Sequence, residues 1–327
     1  MKRAWARIGL AMLLALVARS GAAGQTLQDI PTPLTSPTGV TRLPLDPERR
    51  ATLEQALKTR DYAAAEKLLA AEIEQKPNSP ELLKFLARVF FDDGKYLNTA
   101  VALKKAEALG PLDDSSRFRL AMAYIKLNHR DWARPELEQL AKSDPQNALY
   151  PYWLGRLDYD AMQFTSAVSH FQKALALDPS YMKTYDNLGL CYEALGKYDQ
   201  AIKTYQEAIR LNREKPLSSA WPPLNLGTLL IKLGRLEEAE AALKESLRYD
   251  ARFPQAHYEL GLLLEKQKKD DEALAALRQA TALNPSYAEP YYALGRIYKR
   301  RGEVKNAEAA WATFHKLKRE TPKIRPH

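Results

Sequence analysis

Cysteine is nearly absent from this chain. Cys191 is the only one among 327 residues, so no internal disulfide can form. It stands two residues after Gly189 on the apolar face of a predicted helix. Its neighbours Leu190 and Tyr192 supply no cation, which marks it as a small buried hydrophobe and not a reactive thiol. Histidine is sparse as well. His129, His170, His257, His315 and His327 are scattered without metal-ligand spacing. There is no His-Glu-x-x-His, no Gly-x-Ser-x-Gly and no phosphate-cradling glycine loop. Asp158 and Asp160 flank Tyr159, but carboxylates so close along a helix point apart and make no acid–base pair. No catalytic residue, metal or cofactor is expected, and the chain reads as non-enzymatic.

Long apolar runs are also missing. Ile8 to Ala18 spans eleven residues, short of the ~20 that a membrane helix needs. Lys2, Arg3 and Arg7 precede it, and Ser20-Gly21-Ala22-Ala23-Gly24 follow. That order predicts a cleaved signal peptide over residues 1–24 and export to the periplasm or beyond the cell. Gln25 and Thr26 stand where a lipoprotein would carry its cysteine. Formal charge is +9, and the four cations Lys2, Arg3, Arg7 and Arg19 account for all but +5 of it. That mild excess leans toward acidic partners, while the absence of a recognition helix or stacking sheet argues against nucleic acid. Residues 25–45 hold Pro31, Pro33, Pro37 and Pro44, and are expected to form a Pro-rich linker, disordered or loosely docked.

What is present is a ruler. Ala87, Ala121, Gly155 and Gly189 stand 34 residues apart, and after a slip of four the spacing resumes with Gly227, Gly261 and Gly295. Ala65, Thr99, Ala133, Ala167 and Ala201, then Ala239, Ala273 and Ala307, keep the same step. A repeat of this period means one supersecondary unit stacked on copies of itself. Between Asp199 and Leu211, Ala201, Ile202, Tyr205, Ala208 and Ile209 recur at helical spacing. Glu237, Glu238, Glu240, Lys244 and Glu245 form the wet face of another helix. The small residues predict close backbone approach between helices, since glycine inside a helix costs about 1 kcal/mol against alanine unless contact offsets it.

Tyr185, Leu188, Gly189 and Tyr192, then Ala201, Tyr205 and Ala208, with Gly196 between, give the motif most fully. It resembles the tetratricopeptide repeat, whose pattern runs Trp-x2-Leu-Gly-x2-Tyr, then Ala-x3-Phe-x2-Ala, then Pro. Pro77, Pro111, Pro145, Pro179 and Pro285 supply five of the terminal prolines. The resemblance implies an all-α solenoid of stacked antiparallel helix pairs, wound as a right-handed superhelix. Eight units are placed at 46–79, 80–113, 114–147, 148–181, 182–215, 220–253, 254–287 and 288–321, with a tail over 322–327. Tyr124, Phe171, Tyr192 and Tyr298 are expected to fill the space between units, and His257 an aromatic core slot. Three departures carry expectations of their own. Arg213 to Ser219 lengthens a junction by four residues and should loosen or re-aim the stack, with Pro216 ending one helix and Pro222 and Pro223 opening the next. Pro135 should delay or kink its helix. Thr52 and Leu53 replace Leu-Gly in the first unit, as expected of a cap.

In tetratricopeptide arrays the first helix of each unit lines a concave groove that holds peptides. The resemblance places Lys84, Arg88, Phe118, Arg119 and Lys126 there, followed by Tyr152, Arg156, Tyr159, Lys183 and Asn187. Trp221, Asn225, Lys232, Tyr258, Lys266, Tyr292, Arg296 and Lys299 complete the row, with Asp186 and Glu259 among them. Rings that bury apolar side chains and cations that meet carboxylates suit an extended peptide. Lys84 and Arg88 begin the cationic clamp of chaperone-docking arrays, but Arg119 stands where asparagine is wanted next. Asn187 and Asn225 occupy the slot of an asparagine ladder that Trp153, Glu259 and Ala293 break. The implied role is a protein-binding scaffold, with an envelope assembly factor or holdase chaperone as the alternative.

Overall fold

The computed structural model describes residues 39–214 and 218–320. The expected signal peptide, Pro216 and the tail lie outside them. Sixteen α-helices follow one another among the described residues, with no strand. They pack as consecutive pairs, and two compact units result, one ending at Leu112 and one beginning at Asp113.

The first unit contains α1 (Pro47–Lys58), α2 (Tyr62–Gln75), α3 (Pro80–Asp92) and α4 (Tyr96–Glu107). Asp46 and Ser79 cap α1 and α3 by accepting from the Arg49 and Leu82 amides, and proline stands first in both, where its missing N–H is no loss. Residues 39–45 are not a loose linker. Val40 and Arg42 bound a 3-10 turn, and Val40, Leu43 and Leu45 are buried with Leu53, Leu69 and Phe85. Arg50 donates to the Leu45 carbonyl (3.1 Å) and Lys76 to that of Pro44 (2.5 Å). Three apolar side chains in seven residues outweigh the extended bias of a single proline.

The second unit contains α5 (Asp114–Lys126), α6 (Arg130–Ser143), α7 (Leu149–Asp160), α8 (Phe164–Leu177), α9 (Met182–Ala194) and α10 (Tyr198–Arg213). It continues through α11 (Trp221–Lys232), α12 (Leu236–Tyr249), α13 (Pro254–Lys266), α14 (Asp270–Leu283), α15 (Ala288–Arg300) and α16 (Val304–Glu320). From α7 onward the odd-numbered helices touch one another, while the even-numbered ones do not. The odd helices α7 to α15 thus form an inner row and the even helices an outer one.

The recurring small residue works differently from the expected backbone approach. A methyl group added at Gly155 would fall 2.7 Å from the Phe171 ring, and one at Gly189 would fall 2.4 Å from Tyr205. The recess receives a large side chain sixteen residues on, from the second helix of the same pair. Phe171 therefore fills a recess inside its own hairpin, within a cluster that also holds Leu188 and Tyr192 of the next pair. Backbone proximity is secondary, with the Ala239 and Ala273 carbonyls 3.4 and 3.5 Å from methyls placed at Gly227 and Gly261.

Pro135 does not delay α6, which begins at Arg130 and runs through it. The missing N–H faces the carbonyl of Asp131 in the first turn, so a single ladder bond is lost near the helix start. At the lengthened junction α10 extends to Arg213, whose guanidinium meets Glu245 through two bonds of 2.8 and 2.7 Å. Buried Asn212 brackets Ser219, donating to its carbonyl (2.8 Å) and accepting from its amide (2.7 Å). The edges of the insertion are tied down, not loosened. Pro222 and Pro223 open α11 as expected.

Candidate functional site: the inner row of helices

The inner row carries most of the expected groove residues, but the structure sorts them unequally. Tyr152 is fully buried among Trp153, Phe171 and Tyr181, and Phe118 is buried against Tyr150. Asn187 is buried too. Burial leaves little of any of the three open to a ligand. Lys84 and Arg88 belong to the first unit, both half-buried. Arg88 stacks on Phe85 (5.4 Å), and Gly39 of the docked leader lies against the same two side chains.

Polar side chains cross the inner row in a line. Arg156 on α7 donates to the Asn187 carbonyl oxygen on α9 (2.9 Å), while the Asn187 amide donates to the Lys183 backbone carbonyl (2.7 Å). Asn225 on α11 donates to Asp186 on α9 (2.9 Å). Asn187 and Asn225, the two asparagines in the slot of the interrupted ladder, are thus both engaged within the protein. Burial pushes the Asp186 carboxyl up to about 6, against the pull of the Asn225 bond and the Arg156 charge. Arg119, Tyr159 and Lys183 are half-buried, with Tyr159 edge-on to Phe164 (5.6 Å) and the Lys183 ammonium lowered by burial.

Several cations of the row have internal partners. Lys232 meets Glu193 (3.4 Å) and the Tyr198 ring (5.0 Å), and Lys266 donates to the Ile231 carbonyl (3.3 Å). Arg296 pairs with Glu265 (2.5 Å) and covers Tyr292 (5.6 Å), and Lys299 lies over Trp311 (5.7 Å). Lys126 is exposed, and its ammonium is lowered by burial of the site and by the Arg156 charge beside it. Two rings remain open to solvent, Trp221 at 43% and Tyr292 at 46%. Tyr258 is half-buried and edge-on to Tyr287 at 5.3 Å.

Gln255 and Tyr287 were not anticipated. Gln255 stands one turn before Glu259 on α13, and its side-chain oxygen is buried without a donor. The i, i+4 spacing from Glu259 was the available signal. The Glu259 carboxyl, half-buried, is pushed up to about 7 by burial alone. His257 is not a packed core ring. It is half-exposed, with Nε2 3.0 Å from the Ala251 carbonyl oxygen. Cys191 is buried, and its thiol is pushed up to about 12. Among the described residues no group of three or more His, Cys, Asp or Glu side chains is placed to hold a metal.

Residues 146–325 match the family profile described as the cilia and flagella-associated protein 70 C-terminal domain, a tetratricopeptide array covering more than half of the chain. Residues 54–114 and 114–147 match two further tetratricopeptide repeat profiles. The chain belongs to the tetratricopeptide-repeat family. No curated protein sequence matches it. Among solved structures, this tetratricopeptide-repeat protein is similar to PilW, a type IV pilus biogenesis factor, with 22% identity and a TM-score of 0.56 over 61% of this chain and 90% of that one. It is also similar to pilF of Pseudomonas aeruginosa, with 20% identity and a TM-score of 0.55 over 62% and 91%. The Cut9–Hcn1 tetramer of the APC/C matches with 20% identity and a TM-score of 0.53 over 85% of this chain and 56% of that one. At these identities the likeness establishes the helical-pair fold. No helix among the described residues of the tetratricopeptide-repeat protein is long and apolar enough to cross a membrane.

Proposed function

We propose that the protein is a non-enzymatic scaffold that holds an extended segment of another protein along the inner row α7–α15. One observation carries this reading. The inner helices abut, yet Trp221 and Tyr292 remain nearly half exposed on them. Open aromatic rings on a continuous wall supply the apolar anchors that a bound chain needs. Lys126, exposed on α5, supplies a cation for an acidic group of that chain. The signal-peptide pattern over residues 1–24 supports a home in the periplasm or outside the cell.

Site-specific photocrosslinking tests the reading. A crosslinker at Trp221 or Tyr292 is expected to trap the partner, and one at Lys244 on the outer face of α12 is not. Equal trapping from both faces overturns the inner-row assignment. The second reading, an envelope assembly factor or holdase, is favoured by the export segment. Broad affinity for unfolded clients supports it, and a single stoichiometric partner overturns it.

A further inference from the structure

Glu259 continues the register of Asn187 and Asn225, standing 34 residues after the latter. Both asparagines bond within the protein. Glu259 does not: among the described residues no hydrogen bond or ion pair reaches it. Gln255 lies one turn earlier on the same face of α13, and its Oε1 is buried without a donor. The Tyr258 and Tyr287 rings meet edge to face at 5.3 Å close by, and the Glu259 charge helps push both phenols up. Nearby cations are otherwise engaged. Arg296 and Arg300 hold Glu265, Arg300 also holds Asp270, and Lys318 holds Glu289. Lys266 reaches back to Ile231.

We propose that Glu259, Gln255 and the Tyr258–Tyr287 ring pair form a receptor for a guanidinium group, an arginine of the bound chain. This rests on the reading that the inner row holds an extended segment, and it names a basic feature of that segment. Two acceptors without donors call for a ligand that only donates. A half-buried carboxylate calls for positive charge, and aromatic faces attract cations. A planar guanidinium carries five N–H groups in a fork and can serve both acceptors at once, whereas an ammonium is a single point. The positive end of α13 lies at Pro254, so the charge settles at Glu259 while an N–H edge reaches Gln255.

The probe is capped arginine (N-acetyl-arginine amide), titrated into the full chain while the ring resonances of Tyr258 and Tyr287 are followed by NMR. A saturable shift is expected. Capped citrulline, uncharged and nearly isosteric, should bind at least tenfold more weakly, as should arginine to Glu259→Gln. Glu272→Gln, on the exposed face of α14, should leave the titration unchanged. Equal binding of citrulline, or of arginine to Glu259→Gln, overturns the receptor. Stronger binding of capped lysine overturns the guanidinium assignment. A partner crosslinked at Trp221 with no ring response to arginine removes this inference and leaves the scaffold. A ring response with no inner-face crosslink supports the receptor and removes the scaffold reading.

Discussion

At position 162 the backbone is left-handed, with φ of 58°, and the methionine there is 78% exposed. Arg60, Gly94, Asn128, Gly196, Gly234, Lys268 and Gly302 share this conformation at the turn inside each helix pair. The turn closes with bonds such as Lys197 N–H to the Tyr192 carbonyl (2.8 Å), which need that backbone geometry. A side chain in the left-handed region costs about 1–2 kcal/mol, so Met162→Gly should raise stability by about 0.5–1 kcal/mol in urea unfolding after glycine's own entropy is counted. Gly189→Ala should act oppositely, because its methyl would fall 2.4 Å from the Tyr205 ring. The expected loss is about 1–3 kcal/mol. The ladder of small residues was legible in the sequence, but what they receive was not. Periodicity reports a recurring need for space without naming the side chain that fills it. Glu259 offers a third test. Its folded pKa of about 7 lies above the ordinary glutamate value, so the native state binds the extra proton and stability falls as pH rises through 4.5 to 7. Glu259→Gln should therefore outperform the wild type by a margin that grows by about 1–2 kcal/mol between pH 5 and pH 8, read from paired urea midpoints.

At the scale of elements, buried Asp158 stitches three helices. From α7 it accepts from Arg134 on α6 (2.5 Å) and from His170 Nδ1 on α8 (2.6 Å). Asp160 turns away to Arg130 (3.4 Å), as their adjacency on a helix required. The sequence alone could exclude an Asp158–Asp160 pair, but it could not find the true partners, which lie 24 residues before and 12 after. Those separations follow from stacking, whereas the visible 34-residue period places backbones and not polar tips. The groove was legible to the same degree. From α7 onward the first helices of successive pairs do abut, while Tyr152, Phe118 and Asn187 are buried, because a residue on an abutting helix can still turn into the neighbouring pair. Asp158→Asn keeps the shape but leaves Arg134 without its anion. Arg134 is partly exposed, which limits the loss to about 1–3 kcal/mol. Urea denaturation against the wild type measures it. A null result would mean that water already serves Arg134.

At the scale of the molecule, a stack of helix pairs is stabilised mainly between neighbours, so damage should stay local. In the first unit Leu53 on α1 is buried in one cluster with Val40, Leu43 and Leu45, so the turn at 39–45 covers the α1 side of that core. Burying one such side chain contributes roughly 1.5–3 kcal/mol. The proline content of 25–45 hid this role, because composition describes the average of a segment and three apolar residues at its end decide its docking. Leu43→Ser should consequently speed hydrogen exchange in α1 and α3 together, since both helices pack against the leader through Leu53 and Phe85. Exchange in α13 to α16, held by a separate cluster around Leu277 and Ile297, should not change. If protection there falls as far as it does in α1, stability is shared along the whole chain and the neighbour-by-neighbour account of this stack is wrong.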